Sequence, residues 1–120
     1  AAIWIYDTVS QSRALVHSGK LGTLQNIVGE TLSAMYKVLG VEAKNCIAVI
    51  SPCIRPPHYE VDIVSMIKQQ LADAGIAPEN IADAGLDTAA DLDTFYSYRI
   101  EKGNTGRMLA LFGRTPSTAE

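Results

Sequence analysis

Little in this chain points toward a large or charged partner. Its 120 residues include two cysteines, two histidines, one tryptophan and two phenylalanines. Cys46 and Cys53 cannot form the disulfide framework of a small secreted domain, and they read as reduced thiols of an intracellular protein. Lys and Arg number 10 against 13 Asp and Glu, a net charge of −3. No stretch interleaves basic and aromatic residues, so neither nucleic acid nor an anionic membrane surface is expected as a partner. No apolar run approaches the roughly 20 residues of a membrane span. The opening Ala1-Ala2-Ile3-Trp4 has no basic n-region and no signal-peptide form. A cytoplasmic location is therefore expected.

No repeat or internal linker is present, and the length suits one core. A single α/β domain is expected over residues 1–113, with a frayed tail over 114–120. Ile3-Trp4-Ile5-Tyr6 reads as a buried strand two residues from the first residue. A core strand there suggests that the chain is one part of a larger unit.

The elements follow from periodicity and punctuation. Ile3–Tyr6 and Ala14–His17 read as a strand pair around the polar turn Asp7–Arg13. Leu24, Ile27, Val28, Leu32, Met35 and Leu39 recur at helical spacing, giving a helix over about Thr23–Leu39 closed by Gly40. Cys46–Ile50 is a continuous apolar run that predicts a strand buried on both faces. Pro52, Pro56 and Pro57 make Ser51–Tyr59 a stiff loop at the end of that strand. Asp62 caps a helix over Ile63–Ala74, whose buried face is Ile63, Ile67, Leu71 and Ala74 and which Gly75 ends. Ile81–Leu86 reads as a short strand and Arg107–Phe112 as the last one. This order predicts a mixed sheet with helices packed on it.

The chemistry concentrates at His17-Ser18-Gly19-Lys20-Leu21-Gly22-Thr23. A strand end, a glycine turn and a helix start meet there. His17 offers a metal ligand or a base, and Lys20 with the helix N–H groups offers a seat for phosphate or carboxylate. Equally, His17 can be a strand-end imidazole bonded to backbone and Lys20 a solvated cation. Cys53 and His58 flank Arg55-Pro56-Pro57 and could form a nucleophile pair or part of a metal site. Arg55 and Glu60 are a cation and a carboxylate on the same stiff loop. Arg99 and Arg107 flank a Gly-Asn turn and could converge on an anion, or pair with Asp87, Asp91 and Asp93.

Four segments carry a resemblance. His17–Thr23 is similar to a His-Ala-Gly-Trp-Arg-Gly-Thr motif. Ser51-Pro52-Cys53-Ile54 with Tyr59-Glu60-Val61 resembles Gly-Pro-Ala-Ile then Tyr-Glu-Val. Phe95–Arg99 and Thr105–Met108 resemble Phe-Tyr-Ser-Tyr-Arg and Thr-Gly-Arg-Met. In this order they resemble the C-terminal half of the laccase-domain family. That family was once called multicopper polyphenol oxidases and has since been described as zinc-dependent purine nucleoside phosphorylases and adenosine deaminases.

The resemblance implies a metal held by two His and one Cys. His17 matches one ligand; the others would lie upstream of Ala1 or come from a missing segment or partner chain. Zinc is implied before copper, since two histidines are too few for a multicopper centre. Purine nucleoside and phosphate are the implied substrates, with zinc activating water or polarising the substrate. His17 would be the catalytic residue; Lys20, Arg55, Glu60, Arg99 and Arg107 would bind anion or ribose. Lys20-Leu21 replaces the family's Trp-Arg, Asp87 stands where the family has a Cys before Thr, and the segment after Val61 leaves little room for the family's usual insertion. Two alternatives stay open. One is a Cys–His hydrolase or amidase, since the implied fold is similar to the catalytic domain of cytotoxic necrotizing toxins. The other is a non-catalytic binding module.

Overall fold

The computed structural model describes residues 1–115. In chain order it contains β1 (Ala2–Asp7), β2 (Arg13–His17), α1 (Lys20–Leu24), α2 (Ile27–Leu39), β3 (Cys46–Ile50), α3 (Ile63–Asp73) and β4 (Ile81–Asp83). The four strands make one mixed sheet in the order β2-β1-β3-β4. β1 is antiparallel to both neighbours, and β3 runs parallel to β4 across the α3 crossover. The mixed α/β class read from the sequence is the observed one, and the β1–β2 hairpin forms as expected.

One layer of helices covers one face of the sheet. Ile3, Ile5, Val16, Ala48 and Ile50 meet Val28, Leu32 and Met35 of α2 and Ile63, Ile67 and Leu71 of α3 in a single core. Each fully buried aliphatic side chain there contributes about 1.5–3 kcal/mol. Among the described residues, no helix covers the other face. Ile47 and Val49 of β3 therefore remain 39% and 40% exposed, and the strand expected to be buried on both faces is covered on one.

The helix expected over Thr23–Leu39 is two helices. Asn26 adopts a left-handed φ of +57° and caps α2, its Oδ1 accepting from Gly29 N at 3.2 Å. A Cβ at Gly29 would stand 2.4 Å from Asn26 Nδ2, so this cap requires glycine there. Apolar spacing continues through the break, which is why periodicity alone does not reveal it. Val28, Leu32 and Met35 are buried as expected, but Leu24 and Leu39 lie in solvent. Gly40 closes α2 in the left-handed region, and Asp62 caps α3 through Ser65 N at 3.2 Å.

Two late elements differ from expectation. β4 ends at Asp83, after which parallel pairing resumes only at the Cys53–Asp87 bridge. Residues 107–112 are not a strand. They cross the outer face of the sheet as irregular backbone, held by side chains rather than a ladder. Trp4 Nε1 donates to Leu111 O at 2.9 Å, and Arg13 Nη1 to Gly113 O at 2.9 Å. The expected tail over 114–120 lies, beyond Thr115, outside the described residues. No described helix is long and apolar enough to cross a membrane.

Candidate active site

Strand register sets the site. Trp4 pairs with Leu15 on one side and Val49 on the other, and His17 pairs with Ala2. Since Ile3, Ile5 and Val16 face the helices, alternation sends Trp4, Leu15 and His17 to the outer face. The turn behind His17 is locked from the core side. The buried hydroxyls of Ser18 and Thr23 lie 2.7 Å apart, and Gln70 Nε2 of α3 donates to Thr23 O at 2.7 Å. A Cβ at Gly19 would come within 3.4 Å of His17 Nε2. The ring is open to solvent on one side, while burial on the other holds its pKa below the ordinary histidine value. His17 is therefore neutral near pH 7.

His17 opens into a cavity of about 810 Å³ on that outer face, walled also by Trp4, Cys53, Tyr59, Tyr96, Arg99 and Arg107. The lid is a folded strap built from the two late motifs. Tyr96 lies against Gly106, where a Cβ would be 2.7 Å from the ring, and Tyr98 packs on Gly103, which has φ +81°. At Gly106 only a bare Cα allows the approach, and at Gly103 the left-handed backbone favours glycine. Glu101 Oε1 ties the strap by accepting from Ser97 N at 3.0 Å and Thr105 Oγ1 at 2.7 Å.

The structure brings most of the candidate residues together. Glu60 Oε1 accepts from Lys20 Nζ at 3.3 Å and from Arg99 Nη2 at 3.1 Å. Its own backbone N–H, then Lys20 and Arg99, hold its carboxyl below the usual range. The Arg99 guanidinium lies 4.7 Å from the Tyr59 ring centroid, and that of Arg107 lies 4.9 Å from Tyr98. Arg99, Arg107 and His17 line the cavity; Lys20 and Glu60 stand behind Arg99.

Arg55 is elsewhere. It binds Asp83 through both terminal nitrogens, at 3.0 and 2.6 Å, and donates from Nε to Leu86 O at 3.0 Å. Those hydrogen bonds hold the Asp83 carboxyl well below the usual range. Arg55 thus ties the proline loop to the end of β4 and does not line the cavity.

Three further expectations are corrected. The helix following His17 is the five-residue α1, too short to offer the anion seat expected beside Lys20. The Cys53–His58 pair is not assembled: His58 Nδ1 lies 2.8 Å from Asp87 Oδ2, while burial pushes the Cys53 thiol up. Arg99 and Arg107 do not pair with Asp91 or Asp93; Asp91 instead caps Thr94 N at 3.2 Å. Trp4, Tyr59, Tyr96 and Tyr98 were not among the candidate site residues, although Tyr59, Tyr96 and Tyr98 lie within the quoted motifs. For Tyr96 and Tyr98 the available signal was an aromatic cluster followed by a glycine turn.

Among the described residues, no group of three or more His, Cys, Asp or Glu side chains could hold a metal ion. His17 is one imidazole without companion ligands, and the Cys53 thiol is buried and protonated. The residues described here do not by themselves fit a metal centre.

A single sheet backed by helices, with a His at a strand end and two arginines on an aromatic strap, gives an α/β scaffold with a concave candidate site. Residues 1–64 and 61–115 match the family model described as multi-copper polyphenol oxidoreductase laccase, and the chain belongs to that family. The two matched pieces overlap at residues 61–64, at the start of α3. The chain is 26% identical, over 92% of its length, to the purine nucleoside phosphorylase YlmD of Bacillus subtilis, and covers 50% of that protein. It is 28% identical, over 93% of its length, to the purine nucleoside phosphorylase SSP1584 of Staphylococcus saprophyticus, covering 52% of it. It thus spans about half the length of these curated relatives. The fold is that of the Bacillus licheniformis hypothetical protein YfiH, with TM-score 0.81 and 21% identity over 88% of this chain and 51% of that one. YlmD from Geobacillus stearothermophilus superposes with TM-score 0.79 and 19% identity, over 88% of this chain and 50% of its own.

Proposed function

We propose that this chain supplies one wall of the active site of a purine nucleoside phosphorylase, with adenosine deamination as a companion activity. The observation that carries the reading is the meeting of His17, Arg99 and Arg107 at one aromatic cavity of about 810 Å³. A purine base needs flat apolar surfaces, and Trp4, Tyr59 and Tyr96 offer them. A phosphate dianion needs guanidinium donors, which Arg99 and Arg107 offer. The names of the Bacillus and Staphylococcus relatives support the same substrate class.

In this reading Arg99 and Arg107 hold phosphate beside the ribose. A phosphate oxygen bonds to C1′ as the bond from C1′ to the purine nitrogen breaks. The bonding electron pair leaves with the base, which takes up a proton. Holding both reactants in one cavity converts a two-body encounter into a single-complex reaction. Neutral His17 offers a single lone pair there, which would go to a hydrogen bond from the ribose or the attacking group in the metal-free chain and to zinc in the complete site. Lys20 and Glu60 keep Arg99 in place. Zinc, before copper, belongs to the complete site, with His17 as one ligand and the others from outside the described residues. A cytoplasmic setting is part of this proposal, and two free thiols are in keeping with it.

The test is release of free base from inosine and adenosine with and without phosphate, on the chain and on His17→Ala. Phosphate-dependent release that is lost in the variant supports the reading. Saturable nucleoside binding without turnover would replace it with the non-catalytic reading.

A further inference from the structure

Ser51 and Ser97, in the wall of the His17 cavity, have hydroxyls committed to backbone. Ser51 Oγ accepts from Ala2 N at 2.9 Å and donates to Pro52 O at 3.0 Å. Ser97 Oγ accepts from Ile100 N at 3.4 Å. Thr88 differs. It lines the same cavity and is only 4% exposed, yet among the described residues its hydroxyl has no hydrogen-bond partner. The one fully enclosed side-chain atom without a partner among the described residues is Gln70 Oε1, on the helix side. The Thr88 hydroxyl therefore keeps an opening, and the cavity it lines supplies it.

The backbone around Thr88 is fixed. Thr88 N donates to Cys53 O at 3.1 Å, and Cys53 N to Leu86 O at 3.2 Å. Asp87 Oδ1 accepts from Ala89 N at 2.9 Å, and Asp87 Oδ2 lies 2.8 Å from His58 Nδ1. His58 is itself anchored, its backbone N–H donating to Arg55 O at 2.8 Å. The pair thus clasps the residue before Tyr59 to the residue before Thr88, and so fixes the gap between two walls of the cavity. The Asp87 side chain is 15% exposed, where a carboxylate without partners would be costly; His58 and Ala89 supply them. The clasp is a departure from the family pattern. His58 falls between the two motif segments of its loop, and Asp87 stands in place of a Cys.

We infer that Thr88 is a specificity-determining residue of the cavity, its hydroxyl pairing with a polar atom on the edge of a bound heteroaromatic base, and that His58 and Asp87 are positioning residues that aim it. A hydroxyl both donates and accepts, so it meets either a ring carbonyl or a ring N–H. Trp4, Ile54 and Tyr59 hold a flat ring by apolar contact, which does not distinguish one edge from another. An occupant without the polar atom leaves the hydroxyl stranded, and that difference is the discrimination. The base as ligand class rests on the proposed function; the unpartnered hydroxyl and the clasp rest on geometry alone.

The test measures binding of hypoxanthine and of indene, the all-carbon bicycle of the same outline, by equilibrium dialysis. We expect Thr88→Val, which keeps the side chain's shape, to weaken hypoxanthine about tenfold and to leave indene unchanged. Thr88→Ser, which keeps the hydroxyl, should bind hypoxanthine within about twofold of the parent chain. Asp87→Ala should reproduce the Thr88→Val pattern, and Asp87→Asn, which can still bond Ala89 N and His58, should restore hypoxanthine binding. His58→Ala, at the more exposed end of the clasp, gives the same reading where Asp87→Ala does not fold. The inference is overturned by hypoxanthine binding indifferent to Thr88→Val, by indene weakened as much as hypoxanthine, or by a parent chain that does not bind hypoxanthine. Discrimination that survives loss of the clasp overturns the positioning role. Discrimination by Thr88 without phosphate-dependent release of base from inosine counts against the proposed function alone. Release of base from inosine, with hypoxanthine affinity unchanged in Thr88→Val, counts against this inference alone.

Discussion

Arg99 Nη2 and Glu60 Oε1 lie 3.1 Å apart, joining the aromatic strap to the proline loop across 39 residues of sequence. Lys20 reaches the same oxygen, so three residues singled out separately in sequence meet at one carboxylate. All three side chains are between 43% and 50% exposed. Exposed ion pairs contribute roughly 0–1 kcal/mol. Glu60→Gln should therefore leave the midpoint of urea unfolding essentially unchanged. A clearly lowered midpoint would mean that the pair holds the fold, not just Arg99.

Arg55 and Asp83 behave differently, since their side chains are only 17% and 15% exposed. Asp83→Asn should cost about 2 kcal/mol, between the values for exposed and fully buried pairs. The sign with pH follows from the depressed carboxyl. The ionised form is favoured in the fold, so this stability is complete above the unfolded value of 3.8 and is lost as pH falls below it. Urea titrations between neutral pH and the acid limit should show Asp83→Asn with a flatter acid dependence than the parent chain. Equal slopes would remove the pair from the stability account. Lys68, which also reaches Asp83 at 3.2 Å, is expected to carry a smaller share.

Gly29 inverts a familiar rule. Glycine to alanine inside a helix ordinarily stabilises by about 1 kcal/mol. Here the new Cβ would collide with the Asn26 side chain that caps α2. Losing the cap costs about 1–2 kcal/mol. Gly29→Ala should therefore leave the chain less stable in urea melts, while a gain would show that the cap contributes little.

The described residues hold no metal-ligating trio, so the purified chain should carry well under one zinc per molecule by elemental analysis. His17→Ala should give the same result, and a chelator should not move the melting temperature. About one zinc per chain, lost in His17→Ala, would show that the missing ligands lie within the chain after all.

The sequence carried the fold where periodicity and caps agreed. Ile63, Ile67 and Leu71 with Asp62 marked α3, and Ile3–Tyr6 with Ala14–His17 marked the hairpin. It failed where one residue overrides a pattern, as at left-handed Asn26. It failed again where a face lacks its cover: Cys46–Ile50 reads as doubly buried, yet Ile47 and Val49 face outward. The site was legible as separate motifs, because His17, Glu60, Arg99 and Arg107 each sit beside glycines or prolines that shape a loop. The commitment of Arg55 to Asp83 was not legible, since it depends on β4 ending beside the proline loop, a tertiary fact without a local signal.

The most direct measurement uses Trp4, the only tryptophan and a wall of the cavity. Its fluorescence should be followed as inosine is added at several phosphate concentrations. We expect saturable quenching that phosphate strengthens, with the phosphate effect weakened about tenfold in Arg99→Gln, as loss of a charge-assisted hydrogen bond of about 1.5 kcal/mol requires. Quenching that never saturates, or a phosphate effect unchanged in Arg99→Gln, would contradict a nucleoside and phosphate site on the outer face of this sheet.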